Sequence, residues 1–156
     1  LQTHGHFDHV MGCVFAKKQW DIPAYMNHGD IPQVARATSY GGYFGYDFED
    51  PKEDFVDVKD GDEIKFGNTT LKVMHTPGHS KGGVVYYNEA EKYVITGDSL
   101  FAQSIGRTDL PGGDLDELMA SLKDKILALP EDTVVYPGHG PSTDVATEKK
   151  TNPFLM

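Results

Sequence analysis

The sequence predicts a single α/β (α+β) domain, and three observations predict it. A chain of 156 residues has the size of one domain and is long enough to bury a core. From Phe55 onward, short apolar runs alternate with turn residues, the pattern of strands and hairpins. Late in the chain, Leu115, Leu118, Leu122, Ile126 and Leu129 form one stripe at helical spacing. No repeat, low-complexity tract or linker divides the chain.

Taken in order, Val10–Lys18 carries apolar residues at Val10, Met11, Val14 and Phe15 and is predicted helical. Ile22–Met26 is a short strand candidate, and Asp30 is placed to cap a second short helix reaching about Ala37. Tyr40–Tyr46 is a Gly/aromatic stretch read as a loop that fills space rather than covers a site. An acidic patch follows from Asp47 to Asp54. Glu63–Phe66 and Thr70–His75 flank a turn at Gly67-Asn68-Thr69, the signature of a hairpin. Gly83–Tyr87 and Tyr93–Thr96 flank a second turn at Asn88–Glu91. Asp114 caps the Leu115–Leu129 helix, Pro130 stops it, and Thr133–Tyr136 is the last strand.

Composition excludes several classes of function. No run of about 18 apolar residues exists, so no membrane-spanning helix is expected. A formal net charge of −10 argues against a nucleic-acid or anionic-membrane surface. The single cysteine, Cys13, rules out an internal disulfide and Cys-rich structural zinc, and fits a cytoplasmic setting. It falls in the first helical stretch and is read as a small buried hydrophobe.

The chemistry concentrates at the start, in Thr3-His4-Gly5-His6-Phe7-Asp8-His9. Imidazole nitrogen and carboxylate oxygen suit zinc and similar divalent ions. In an extended segment His4, His6 and Asp8 share a side, and His9 points away unless a helix starts near that point. The spacing suggests two ligand sets, one with His4 and His6, the other with Asp8 and His9. Three later apolar runs each end in Gly or Pro and then a ligand-type residue: His79 after Leu71–Met74, Asp98 after Tyr93–Thr96, and His139 after Thr133–Tyr136. If those strand ends share an edge, His4, His6 and His79 can hold one metal and Asp8, His9 and His139 a second. Asp98, with two oxygens, can bridge them. Two ions roughly 3.5–4 Å apart with open positions form a hydrolytic rather than a structural centre. His75 and His28 are read as structural, and Thr3 as a brace for the turn. Arg107 and Asp109 are read first as an ion pair fixing their loop, and alternatively with Arg107 meeting an anionic substrate.

Together, Thr3–His9, His75–Ser80, Gly97-Asp98 and Pro137–Gly140 resemble the motifs of the metallo-β-lactamase superfamily. Asp98–Ala102, Ser104–Gly113 and Glu148–Phe154 are similar to its short, single-domain glyoxalase II-like (hydroxyacylglutathione hydrolase-like) hydrolases. The resemblance spans residues 1–156 and implies an αββα four-layer sandwich with the metals at one edge. Family members carry strands before the His motif. This chain opens at Leu1, two residues ahead of it, and is read as an N-terminally trimmed domain with apolar surface left exposed.

The resemblance implies a cofactor of two divalent ions, Zn²⁺ foremost with Fe or Mn as options, and a small-molecule thioester substrate. Water between two such ions is acidic near pH 7 and can attack an acyl carbonyl. A thiol leaving group, with a pKa near about 8.5, departs without a strong acid. Asp8 and Asp98 are the candidate catalytic carboxylates, with Asp8 able to relay a proton, and Arg107 the candidate substrate contact. The alternative reading is a mononuclear iron persulfide dioxygenase using His4, His79 and Asp98. A degenerate binding module and a true β-lactamase are weaker readings, since no ligand is lost and Asp98–Gly113 is glyoxalase-like.

Overall fold

A computed structural model of the chain describes residues 1–52 and 54–156. Its centre is a six-stranded sheet of order β10-β9-β6-β5-β4-β3. The strands are β3 (Glu63–Phe66), β4 (Thr69–His75), β5 (Val84–Asn88), β6 (Tyr93–Gly97), β9 (Val134–Pro137) and β10 (Thr143–Asp144). Both predicted hairpins form: β3 pairs antiparallel with β4, and β5 with β6. Since β4 and β6 both run antiparallel to β5, and β9 runs parallel to β6, strands β4, β6 and β9 share one direction. Their C-terminal ends therefore lie at the same edge, as the sequence argument required.

Alternation along β5 decides which residues face which layer. Val85 and Tyr87 pack with Val94, Leu118, Leu122, Ile126 and Val135 beneath the late helix. Val84 and Tyr86 turn the other way and pack with Val58, Leu71 and Val73. This second face stays open over β6 and β9, where the register partners Ile95 and Tyr136 are 36% and 47% exposed. A third cluster, with Val10, Met26, Val34 and Ala37, joins the N-terminal helices to β1 (Tyr25–Met26), which pairs parallel with β2 (Val56–Asp57).

Helical boundaries differ from the prediction in informative ways. The first helix breaks into α1 (Phe7–Val10) and α2 (Cys13–Trp20) at Met11-Gly12. The late helix is α4 (Leu115–Ser121), continued by a π-turn over Leu122–Ile126. Asp114 accepts from the Glu117 N–H as its cap, and Leu118, Leu122 and Ile126 are fully buried, but Leu115 is exposed. A short hairpin, β7 (Leu100–Phe101) with β8 (Ser104–Ile105), and the terminal helix α5 (Val145–Thr151) complete the chain. The buried Glu148 carboxylate of α5 fastens that hairpin, accepting from Gln103 N and from the side chains of Thr143 and Asn152. The predicted acidic patch includes Glu53, which lies outside the described residues.

The largest correction concerns Tyr40–Tyr46. A 3₁₀ turn at His28–Asp30 leads into α3 (Ile31–Tyr43), which runs through Gly41-Gly42 rather than stopping near Ala37. Packing overrides poor helix propensity here. A Cβ on Gly41 would lie 2.5 Å from the Phe48 ring and 3.3 Å from Phe7, whereas one on Gly42 meets nothing. Gly42→Ala should therefore raise stability by about 0.5–1 kcal/mol, while Gly41→Ala lowers it. Thermal denaturation of the pair checks this, and equal effects of one sign would contradict it.

Candidate metal centre

The opening motif is held as extended chain and then as helix. Gln2 N–H donates to Tyr25 O, Thr3 O accepts from Val84 N–H, and Gln2 O accepts from the Tyr86 hydroxyl. The chain enters α1 at His6, whose backbone is extended, so Asp8 and His9 sit in the first helical turn. That turn brings His9 to the same side as His4, with ring centroids 4.0 Å apart. The other ligand candidates arrive on loops after β4, β6 and β9. At the ends of β6 and β9, Gly138 N–H donates to Gly97 O at 2.7 Å, fixing Asp98 and His139 side by side. Gly97 has φ +51, and a side chain there would strike Thr3; one on Gly138 would strike the Asp98 carboxylate and His9. Small residues at these two points let the ligand loops close together.

The structure brings all seven candidates into one place, in groups whose ligand atoms lie within 4.8 Å: His4–His6–His79, His4–His9–Asp98 and Asp8–His9–His139. The first and third are the two sets expected from spacing. The middle group, which spacing did not anticipate, joins them. Asp98 faces both sets: its Oδ1 is 3.3 Å from His9 Nε2, and its Oδ2 is 3.7 Å from His79 Nε2 and 3.6 Å from His139 Nε2. Asp8 Oδ2 is 3.1 Å from His139 Nε2 and 3.4 Å from His9 Nε2. His4 and His79 are buried and His6 half-buried, whereas the His139 side chain is 57% exposed at the mouth.

Hydrogen bonding decides which atoms face inward. His79 Nδ1–H donates to Arg107 O at 2.8 Å, which leaves the Nε2 lone pair aimed at His6 Nδ1, 3.0 Å away. The buried atoms His4 Nε2, His6 Nε2 and Asp98 Oδ1 have no hydrogen-bond partner among the described residues. Buried lone pairs are costly to leave unmet. Several of them converging with a carboxylate is the donor chemistry of a bound divalent cation, so the residues present fit one.

Charge differs between the sets. Burial, then the neighbouring His9, pushes His4 well below its ordinary pKa. Burial and His79 bring His6 down to about 4. Burial opposes charge on His9 too, but the neighbouring carboxylates of Asp8 and Asp98 outweigh it and raise His9 to about 9. The hydrogen bond to His9 lowers Asp8 to about 2. Without metal, His6 and His4 are thus proton-free at pH 7 while His9 carries a proton. The His9 contribution to metal-free stability is full below its ordinary 6.5 and lost as pH rises through about 9. Loading metal at pH 7 should displace the His9 proton and so release at least about one proton per chain. A metal titration in weak buffer with a pH indicator measures it, and a proton-neutral loading would refute it.

Asp30 corrects the prediction most instructively. It stands at the N-cap position of α3 but makes no side-chain cap hydrogen bond. Its fully buried carboxylate instead accepts from Gly5 N–H (2.8 Å), Ser80 Oγ–H (2.7 Å) and Gly82 N–H (2.5 Å). It ties the His4-Gly5-His6 segment to the loop bearing His79. A lone Asp before a helix carries no sequence signal for this role.

The remaining candidates fall as the sequence suggested. His28 Nε2 bonds to Phe55 O, His75 Nε2 to Lys81 O, Thr3 Oγ1 to His4 Nδ1, and Cys13 is buried. Arg107 donates twice to Asp109, at 2.7 and 2.8 Å, and also lines a cavity over the centre. That cavity, of about 670 Å³, is lined further by His6, Asp8, His79, Asp98 and by Tyr40, Tyr43 and Phe44. The Gly/aromatic stretch therefore walls the site, correcting the reading that it fills space.

Comparison with known proteins gives a consistent kinship. The chain is 43% identical to the probable metallo-hydrolase YqgX of Bacillus subtilis over 157 residues, covering 99% of this chain and 74% of that protein. It is 33% identical to the hydroxyacylglutathione hydrolase GloC of Haemophilus influenzae over 159 residues, with 99% and 74% covered. Among solved structures, TTHA1623 in a di-iron-bound form matches with a TM-score of 0.89 at 39% identity, covering 98% of this chain and 75% of that one. The BLEG-1 B3 metallo-beta-lactamase matches at 0.86 and 39%, with 98% and 74% covered. ETHE1 from Myxococcus xanthus matches at 0.76 and 29%, with 97% and 59% covered. Residues 1–139 fit the family model described as the metallo-beta-lactamase superfamily. The α/β fold, the convergent strand ends and this match agree: the chain belongs to the metallo-beta-lactamase superfamily.

Proposed function

We propose that this metallo-hydrolase cleaves acyl thioesters, of which a hydroxyacylglutathione is an example, with two divalent ions, zinc foremost. The observation that carries the reading is the meeting of seven nitrogen and oxygen ligand candidates at one sheet edge beneath a cavity. His4, His6 and His79 would hold one ion, and Asp8, His9 and His139 the other, with Asp98 shared. Bound there, the ions supply Lewis acidity and a water acidic enough to ionise near pH 7. The likeness to GloC supports a thioester. The di-iron form of TTHA1623 supports two ions and keeps iron open beside zinc.

The chain's own groups position the reaction. Asp8, lowered to about 2, is anionic at neutral pH and presents Oδ2 beside His139 and His9 at the mouth. Asp98 holds the two halves of the centre together. Arg107, fixed by Asp109, reaches the cavity as a cation. A thioester suits this arrangement because its thiol leaves as the anion, so no separate acid is needed. A small-molecule substrate fits a cavity of about 670 Å³. No helix among the described residues is long and apolar enough to cross a membrane.

Elemental analysis of protein purified without chelator, followed by assay of S-lactoylglutathione, tests the reading. About two divalent ions per chain with chelator-sensitive thioester hydrolysis supports it. One iron per chain with O₂ consumption on glutathione persulfide would replace it with the dioxygenase, which the likeness to ETHE1 keeps in view. Hydrolysis of a cephalosporin in preference to the thioester would favour a β-lactamase, the activity named for BLEG-1.

A further inference from the structure

The wall of the cavity that faces the metal centre from α3 presents exposed aromatic and cationic side chains. Gln33, Arg36, Tyr40 and Tyr43 recur at three- and four-residue spacing and so form one stripe of the helix. Tyr43 is 87%, Phe44 59% and Tyr40 46% exposed, a concentration of aromatic surface that a folded chain rarely leaves in water without use. The Phe44 ring is held in place from beneath by stacking on Phe7, at 5.6 Å between centroids. Gln33 donates from Nε2 to Pro111 O, clasping α3 to the opposite wall that carries Arg107.

The two cations of the cavity differ. Arg107 is committed to Asp109 by two hydrogen bonds. Arg36 is exposed and, among the described residues, pairs with no carboxylate, although the chain carries 24 acidic residues against 14 Lys and Arg. An unpaired guanidinium one helical turn from an aromatic wall is equipped for a carboxylate or phosphate on a molecule that also has a flat apolar part.

We propose that α3 is the specificity wall of the site and selects an anionic thioester bearing a bulky, flat acyl group. Arg36 receives the negative charge of the substrate, and Tyr40, Tyr43 and Phe44 cover the acyl portion. This rests on the thioester-hydrolase reading above and adds to it the class of acyl group and the residues that choose it. A small hydroxyacyl group would leave the aromatic wall in water, whereas an aryl group would cover it.

The test compares S-mandeloylglutathione with S-lactoylglutathione, which differ by phenyl for methyl, and each with its neutral N-acetylcysteamine counterpart. The metal-loaded wild type should prefer the mandeloyl thioester by about tenfold in kcat/KM, since a covered ring is worth that order of energy. Tyr43→Ala together with Phe44→Ala should erase the preference. Arg36→Gln should cut the ratio of glutathione to N-acetylcysteamine turnover by about tenfold through KM, the loss of one charge-assisted contact. Equal use of the two acyl groups, or an unchanged ratio in Arg36→Gln, overturns the proposal while leaving thioester hydrolysis intact. Binding of the non-hydrolysable S-benzylglutathione by calorimetry separates the two claims. If no thioester is cleaved, binding weakened about tenfold by Arg36→Gln upholds the wall without the hydrolase, and binding unaffected by Arg36→Gln refutes it.

Discussion

Asp98→Ala is expected to take the centre apart: bound divalent metal falls from about two ions per chain to one or fewer, and hydrolysis drops by at least about a hundredfold. The reason is geometric. Among the described residues, Asp98 alone has oxygens facing His79 in one set and both His9 and His139 in the other. Without it each set keeps three ligands but the ions lose the group that would hold them in register. His9 also loses one of its two carboxylate partners and with it part of the attraction that holds its proton. Metal analysis of the purified variant, with circular dichroism to show that the fold persists, reads the result. A variant with full metal and full activity would refute the shared role of Asp98.

The second large effect belongs to Asp30. Asp30→Asn should weaken metal binding by about 10–100-fold, the usual effect of losing a group that orients ligands. The amide can no longer accept from Gly5, Ser80 and Gly82 together, so the His4 and His79 loops lose their common anchor. Asp30→Ala should go further and cost about 3–5 kcal/mol of stability, because buried donors lose a buried charge and gain no water. A chelator competition measures the first and thermal unfolding the second. Wild-type metal affinity in a folded Asp30→Asn protein would assign the residue to stability alone.

How much of this was legible in the residues varies with the range of the interaction that decided it. The ligand candidates could be read because imidazoles and carboxylates in H-x-H-x-D-H spacing, and after Gly or Pro at strand ends, have few other uses. The two sets of three appear as expected, and the hairpins and the stripe of Leu118, Leu122 and Ile126 follow from local periodicity. Local pattern failed where contacts distant in sequence outweighed it. Residues 40–43 look like loop by propensity and are helix because Gly41 fits against Phe48 and Phe7. Leu115 matches the helical stripe yet is exposed at the first position of α4.

The sequence by itself determined the candidate ligand set, the two hairpins, the apolar stripe of the late helix and the family, because donor type, spacing and periodicity are properties of neighbours along the chain. Only the tertiary structure decided that β4, β6 and β9 end at one edge, that Asp98 stands between both ligand sets, and that Asp30 turns from its helix cap to join two loops. It alone also set the aromatic face of α3 beside the centre. These are relations between segments as far as 130 residues apart, fixed by strand direction and close packing. No local spacing encodes them.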